Sequence, residues 1–431
     1  MDYLRYDDGN MFSSASGEGG VRTHEVGELH DRLMAAHARL EGLRRDATQG
    51  FMDLPGATDG LRASQEAAHR VTRDFSCLLV IGIGGSDLGG RTLVQALGDR
   101  EKGVPVKFLA SPDPDAVAPI LDDPDFLRDA AISVVSKSGS TLETAAVFFA
   151  VRDALIRAVG EKNHARHVFV TTDPTDGPLH RLAKERGYGI LPHPLNVGGR
   201  FSLFSPVGLF PALCAGADGN GVLEGARWLE DHRREKGPDS MPARFAALQY
   251  LAMTARSQPI HVLMPYAARL QAFASWYRQL WAESLGKRKG NRGVGPTPVA
   301  AQGPVDQHSQ VQLYAEGPRD KTVTFIETGR FRRDVRVPAD LPDPFGYLSG
   351  KPFDELLRAE RGGTAESLAH AGRPNGTLHI PSIEAGPVGA LAQFFMTATA
   401  YMGELMGVDA YDQPGVEAGK MAARHIIEGI L

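Results

Sequence analysis

From residue 77 onward, short apolar runs alternate with longer segments in which apolar residues recur at helical spacing. The clearest helical segment covers residues 142–159. The apolar runs, which we predict to be strands, cover residues 77–83, 106–110, 131–135, 167–172 and 187–194. Because strands that are apolar on both faces form parallel sheets covered by helices, this region predicts a doubly wound α/β domain.

A second series of the same kind follows a helical stretch over residues 221–257. Its predicted strands cover residues 259–266, 297–302, 322–328 and 376–383. We therefore predict an α/β fold with two doubly wound domains, each an α-β-α sandwich around a mainly parallel sheet. The predicted limits are an N-terminal helical extension over residues 1–58, with one amphipathic helix near 28–45, a first domain over 59–225 and a second domain with C-terminal helices over 226–431.

The composition is that of an ordinary globular protein. The chain has 431 residues, of which 42% are hydrophobic and 23% are charged. Its 47 Lys and Arg residues against 52 Asp and Glu residues give a net charge of −5. Such a balance provides no large positive field for a nucleic-acid backbone, so we expect no nucleic-acid partner. Any anionic ligand must be small and locally bound.

The cysteines and the apolar segments indicate a reducing, aqueous compartment. Cys77 and Cys214 are far apart and lie in apolar or small-residue stretches, which favours buried thiols over a disulfide or a zinc site. The N-terminus lacks the basic and apolar regions of a signal peptide, so we predict a cytoplasmic location. Residues 387–408 form the most membrane-like stretch, but polar residues interrupt it, and it predicts a buried helix and no membrane association.

A glycine-rich loop follows the first predicted strand, over residues 82–90. A dinucleotide fingerprint would need glycine where Asp87 stands, and a phosphate-binding P-loop would need lysine where Arg91 stands. Neither motif is therefore complete. The glycines still allow a ligand close approach to the backbone at the carboxyl edge of the sheet, which makes Gly84, Gly85 and Ser86 candidate binding residues. A tight turn without a ligand is the alternative.

A hydroxyl-rich loop follows the third predicted strand and opens a helix. Residues 136–141 read SKSGST, and the candidate binding residues among them are Ser136, Lys137, Ser138 and Thr141. Hydroxyl groups and free amides at a helix N-terminus favour an anion, and a phosphate monoester is the natural guest. The alternative is an ordinary helix N-cap, which needs only one hydroxyl.

With these loops in place, the sequence resembles the phosphosugar-binding SIS domains and, more closely, the glucose-6-phosphate isomerase family. The matching segments are residues 80–90, 136–144, 196–209, 281–287, 303–318 and 411–420. The patterns NVGGRFS at 196–202 and DQxGVExxK at 412–420 are specific to the isomerases. The resemblance implies two SIS-type domains of flavodoxin-like topology. The chain departs from the family at Leu195, where a polar or small residue is usual, and its first 58 residues match no family segment.

The resemblance also implies roles for five residues. Glu283 matches the family's carboxylate base, and Arg200 matches the arginine that stabilises the enediolate. His308 and Lys420 match the ring-opening pair, and Gln413 matches a contact to a substrate hydroxyl or phosphate. Taken without the resemblance, Glu283 would be read as a surface carboxylate and Arg200 or His308 as a structural residue.

The same resemblance implies an enzyme that needs no metal and no other cofactor. Its expected partner is a small sugar phosphate, converted between glucose 6-phosphate and fructose 6-phosphate. Because the family's histidine comes from the neighbouring subunit, we expect a homodimer in which His308 acts across the interface. Two alternatives stay open at this point: an isomerase that also accepts mannose 6-phosphate, and a non-catalytic phosphosugar sensor.

Overall fold

The computed structural model describes residues 2–430. Its strands form two five-stranded sheets and one two-stranded hairpin. The strands are β1 (Arg5–Asp7), β2 (Cys77–Ile81), β3 (Val106–Leu109), β4 (Ala130–Val135), β5 (Val168–Thr172), β6 (Gly189–Pro192), β7 (Ile260–Pro265), β8 (Lys287–Lys289), β9 (Arg292–Val294), β10 (Thr297–Ala300), β11 (Lys321–Arg330) and β12 (Asn375–Ser382).

Helices connect and cover both sheets. Those of the first half are α1 (Ser13–Ser16), α2 (Thr23–Glu28), α3 (His30–Arg45), α4 (Thr58–Asp74), α5 (Leu88–Leu97), α6 (Pro114–Leu121), α7 (Pro124–Asp129), α8 (Leu142–Val159), α9 (Pro178–Arg186) and α10 (Pro206–Cys214). Those of the second half are α11 (Gly219–Lys236), α12 (Met241–Ala255), α13 (Gln271–Leu285), α14 (Val311–Glu316), α15 (Phe353–His370), α16 (Ala385–Met406) and α17 (Glu417–Ile427).

The first sheet is parallel throughout, in the order β3-β2-β4-β5-β6. Every residue of β2 and β4 is buried because helices cover both faces. The chain winds outward from β2 to β3 and then returns to β4 on the other side of β2, so a topological switch point lies between β2 and β4. The glycine-rich and hydroxyl-rich loops leave these two strands at their carboxyl ends, where open α/β sheets bind their ligands.

The second sheet has the order β1-β12-β11-β7-β10. Its last four strands are parallel, and only β1 runs antiparallel. The predicted fold class, α/β with two mainly parallel sheets, is confirmed. A shared apolar core joins α5 and residues 197–212 to helices α11, α12, α13 and α16, so the two sheets are packed into one body.

The apolar segment near the C-terminus forms the buried helix that the sequence predicts. α16 packs against α3, α11, α12 and α13, and its threonines Thr397 and Thr399 form hydrogen bonds within the helix. The Thr399 hydroxyl donates to the Phe395 carbonyl at 2.7 Å, for example. Over residues 2–430, none of the helices combines the length and the apolar character needed to cross a membrane. Cys77 and Cys214 are both buried free thiols, and burial raises the pKa of each.

The N-terminal segment differs from the predicted helical extension, because it also contributes a strand. β1 pairs with β12, so that Arg5 lies opposite His379. The helix predicted near residues 28–45 is present as α3 and packs against α16. β1 has only three residues, too few to show strand alternation in the sequence. The domain limits at residues 59 and 225 stay a prediction.

Candidate active site

Arg200 is the most extensively hydrogen-bonded of the predicted site residues. It lies in a short turn, Gly199–Phe201, and is only 2% exposed. Its Nε donates to the Ser284 hydroxyl at 2.7 Å, and its Nη2 donates to the carbonyls of Ala410 and Asp412 at 2.7 and 2.9 Å. The guanidinium therefore joins the end of α13 to the segment that precedes α17 and holds a fixed orientation.

The remaining guanidinium nitrogen of Arg200 faces two other predicted residues. Its Nη1 donates to Gln413 Oε1 at 3.0 Å and forms an ion pair with Glu283 Oε2 at 3.4 Å. Burial lowers the pKa of Arg200, and the Glu283 carboxylate opposes that shift. The structure thus brings together Arg200, Glu283 and Gln413, which are widely separated in the sequence.

This group lies at the edge of an open cavity of about 1070 Å³. The cavity is lined by Glu283 and Gln413, by the Lys287–Asp412 ion pair and by Val416. The Glu283 side chain is 29% exposed, whereas that of Arg200 is 2% exposed. A carboxylate that is open to the cavity can therefore reach a ligand, while the arginine behind it stays fixed.

The glycine-rich loop forms the support of the Arg200 turn. A Cβ at Gly85 would lie 2.3 Å from the Gly199 carbonyl carbon and 2.6 Å from the Arg200 nitrogen, so only glycine allows this approach. Gly84 has a φ of +59°, and Ser86 completes the short turn Gly84–Ser86. The predicted loop is therefore adjacent to the Arg200 turn, at the switch point of the first sheet.

Arg91, which stands where a P-loop would have lysine, has a structural partner. It forms an ion pair with the buried Asp87 at 2.8 Å and lies 4.6 Å from the centre of the Phe108 ring. Burial raises the pKa of Asp87, and Arg91 opposes that shift. Asp87, which departs from the dinucleotide fingerprint, and Arg91, which departs from the P-loop motif, are thus paired with each other.

The hydroxyl-rich loop has a compact internal geometry. The hydroxyls of Ser136 and Thr141 lie 3.0 Å apart, and the Gly139 amide donates to the Ser136 hydroxyl at 3.1 Å. Thr141 occupies the N-cap of α8, but its side chain makes no capping bond, so the structure does not show an ordinary capping hydroxyl. Ser138 is exposed and accepts from the Ser140 amide at 3.3 Å.

Lys137 has a different environment from its neighbours in the loop. Its Nζ donates to the carbonyls of Leu195 and Val197 at 2.8 and 2.9 Å. Burial lowers the pKa of the ammonium group, and Asp173 opposes the shift. Leu195 contributes only its carbonyl here and its side chain is exposed, so the unusual residue at this position leaves the contact intact.

His308 and Lys420 are not in contact with this group in the single chain. His308 is exposed in the turn after β10, a turn that Asp306 stabilises by accepting from the Gln302 amide at 2.7 Å. Lys420 lies on the exposed helix α17 and pairs with Glu417 at 2.7 Å. In the described part of the chain, no hydrogen bond or ion pair joins either residue to Arg200 or Glu283.

Two further residues lie beside the candidate site residues but are absent from the candidates drawn from the sequence. Gln279 donates to Glu283 Oε2 at 3.3 Å from one helical turn away. The Thr144 hydroxyl is buried, makes no hydrogen bond to the described residues and lines a cavity of about 270 Å³ together with Ser136 and Thr141. Helical spacing could have found both, because each lies three or four residues from a candidate on the same helix face.

Among residues 2–430, no cluster of three or more His, Cys, Asp or Glu side chains has the geometry of a metal site. Two doubly wound, mainly parallel sheets, with a hydroxyl-rich loop at the switch point of the first, define an α/β protein of the SIS type.

The chain belongs to the phosphoglucose isomerase family, whose model matches residues 63–341 and 345–430. It is 42% identical over 415 residues to "Glucose-6-phosphate isomerase" of Rubrobacter xylanophilus, with 94% of each chain covered. Its structure is similar to that of a hypothetical protein from Thermus thermophilus, with a TM-score of 0.89, 38% identity and 98% and 99% of the two chains covered. It also resembles a glucose-6-phosphate isomerase from Chlamydia trachomatis, with a TM-score of 0.72, 26% identity and coverage of 86% and 74%. The resemblance stated from the sequence is confirmed.

Proposed function

We propose that this protein interconverts glucose 6-phosphate and fructose 6-phosphate in glycolysis and gluconeogenesis, in the cytoplasm. The observation that carries the proposal is the ion pair between buried Arg200 and partly exposed Glu283 at the edge of an open cavity. Aldose–ketose isomerisation moves a proton between C2 and C1 through a cis-enediolate. It needs one base that can take up and return the proton and one fixed positive charge for the oxyanion.

Glu283 is the proposed base. Its carboxylate faces the cavity from the last turn of α13, and contacts with Arg200 and Gln279 limit its orientation. One carboxylate on one face of the substrate can remove the C2 proton and deliver it to C1. General base catalysis of this kind contributes roughly 10²–10⁴ in rate.

Arg200 is the proposed stabiliser of the enediolate. A guanidinium stays charged at physiological pH, so it provides positive charge without competing for the transferred proton. Its bonds to Ser284, Ala410 and Asp412 are already formed, so its position requires little reorganisation during the reaction. Gln413, held by the same guanidinium, is a proposed contact to a substrate hydroxyl or phosphate.

The phosphate is proposed to bind at the start of α8. The first amides of this 18-residue helix, together with the hydroxyls of Ser136, Ser138 and Thr141, provide donors for an anion. Thr144 adds a buried hydroxyl without a partner in the described residues. The turn formed by Gly84, Gly85 and Ser86 follows the neighbouring strand β2 and completes the proposed sugar-phosphate site.

His308 and Lys420 are proposed to open the sugar ring, with His308 supplied by the second subunit of a homodimer. An imidazole can shuttle a proton between ring and carbonyl oxygens near neutral pH. Val305 and Leu313 flank His308 and are 60% and 54% exposed, as expected for a surface that a second chain covers. A shared site would explain why His308 contacts neither Arg200 nor Glu283 within one chain.

The test of the function is conversion of fructose 6-phosphate to glucose 6-phosphate by purified protein in EDTA, coupled to a dehydrogenase. We expect turnover at an undiminished rate after chelation, because the proposed chemistry uses only side chains. Binding of fructose 6-phosphate without turnover would support the alternative function, a non-catalytic phosphosugar sensor, which needs the hydroxyl-rich loop but not the base. Turnover of mannose 6-phosphate in the same assay would support the dual isomerase.

A mixing experiment tests the shared site. We expect the His308→Ala and Glu283→Gln variants to be nearly inactive alone, and equal amounts, once subunits exchange, to recover about a quarter of wild-type activity. Half of the dimers would then be mixed, and each mixed dimer would contain one intact site. The measurement is the coupled assay before and after exchange. If His308 acts within its own chain, no activity will return.

A further inference from the structure

The Lys137 ammonium connects two loops of the proposed site. The backbone of Lys137 belongs to the hydroxyl-rich loop. It is held at the end of the neighbouring strand β5, since the Asp173 amide donates to the Lys137 carbonyl at 3.3 Å. Its side chain extends to the segment before the Arg200 turn and donates to the carbonyls of Leu195 and Val197. Two of the three ammonium protons are therefore committed to backbone carbonyls.

The segment that receives Lys137 is held at its other carbonyls as well. Asn196 donates from Nδ2 to the Ala47 carbonyl at 2.9 Å, and the Gly50 amide donates to the Asn196 carbonyl at 2.9 Å. The His193 ring bonds the Pro194 carbonyl at 3.0 Å. Each carbonyl of residues 194–197 thus has a partner, and the N-terminal segment provides one of them.

This segment leads directly into the Arg200 turn. Only Gly198 and Gly199 separate Val197 from Arg200. Because glycine has wide conformational freedom, the backbone direction at Arg200 is defined only if the residues on both sides of the two glycines are held in place. Gly85 supports the turn from the first sheet, and Lys137 fixes the residues just before it. The place of the Arg200 guanidinium in the fold therefore depends on the hydrogen bonds that Lys137 donates to the residues before the turn.

We propose that Lys137 is a positioning residue: it ties the hydroxyl-rich loop to the Arg200 turn and acts on the reaction through Arg200, not as a ligand of the phosphate. The inference rests on the proposed function, in which the hydroxyl-rich loop holds the phosphate and Arg200 faces the enediolate. It assigns phosphate binding to the amides and hydroxyls of the loop. The lysine that would be expected to bind the anion instead fixes the geometry beside it.

The first experiment compares Lys137→Met with Lys162→Met, which removes an exposed lysine outside the site. We expect Lys137→Met to lower kcat by roughly 10–10², the usual cost of displacing a catalytic group by about 1 Å. The inhibition constant of inorganic phosphate is expected to change by less than about threefold. A residue that acts on the reaction only through Arg200 leaves the binding of phosphate intact. A rise above tenfold, or an unchanged kcat, would overturn the proposal.

The second experiment repeats Lys137→Met in an Arg200→Lys background. If Lys137 acts through Arg200, its effect on kcat should shrink to less than about threefold there, because coupled residues are not additive. A full effect in both backgrounds would contradict the proposal. An Arg200→Lys variant with wild-type kcat would instead remove the proposed role of Arg200, so the two failures are distinguishable.

A second variant keeps the test usable should Lys137→Met fail to fold. Asn196→Ala breaks the bond to Ala47 on the same segment without touching the hydroxyl-rich loop. We expect the same signature in weaker form, a lower kcat with an unchanged inhibition constant for phosphate. An unchanged kcat in a folded Asn196→Ala protein would overturn the proposed dependence of Arg200 on this segment.

Discussion

Glu283→Gln is expected to lower kcat for fructose 6-phosphate isomerisation by at least about 10², with a much smaller change in KM. The substitution keeps the size of the side chain and its contacts with Arg200 and Gln279, but it removes the group that can take a proton from C1 of fructose 6-phosphate and deliver it to C2. An amide at this position has no basicity near neutral pH. The loss should therefore fall on the chemical step.

The measurements are the coupled assay and, separately, exchange of the C2 deuterium of labelled glucose 6-phosphate into solvent. Glu366→Gln, which changes an exposed carboxylate on α15, is the matched control and should keep full activity. Retention of more than about a third of the wild-type kcat by Glu283→Gln would assign the base to another residue. Washout of the label would then identify whether proton abstraction survives.

Much of the fold could be predicted from the sequence because both sheets are covered by helices. The residues of β4 are all buried, so the strand appears in the sequence as an uninterrupted apolar run. β1 and the β8–β9 hairpin lack such runs: β1 has three residues, and the hairpin is polar, with strands Lys287–Lys289 and Arg292–Val294. These elements form through partners that the local sequence does not reveal.

The candidate site was predictable as a set of residue types but not as a set of contacts. Motifs identify Arg200 and Glu283, yet their ion pair bridges 83 positions of the chain and exists only once the chain has folded. Lys137 shows the limit most clearly. A lysine in a phosphate loop suggests an anion contact, whereas its partners are two backbone carbonyls, which every residue has and no sequence pattern marks.

Arg200→Lys is expected to lower kcat by about 10²–10³, the typical cost of losing a preorganised contact to a developing oxyanion. The substitution keeps the positive charge but replaces a planar group with five N–H donors by an ammonium with three. Lysine cannot serve Ser284, Ala410, Asp412 and Gln413 together. The charge therefore survives while its fixed direction is lost.

The same substitution should also lower stability, because the carbonyl of buried Ala410 is left without its donor, whereas that of Asp412 keeps a bond from Lys287. An unsatisfied buried polar group costs about 1–3 kcal/mol, which urea unfolding can resolve. Comparing kcat, KM and the free energy of unfolding separates the two effects. A fall in stability with kcat preserved would make Arg200 a structural link between α13 and the segment before α17. If kcat falls much more than the loss of stability can explain, the guanidinium stabilises the transition state.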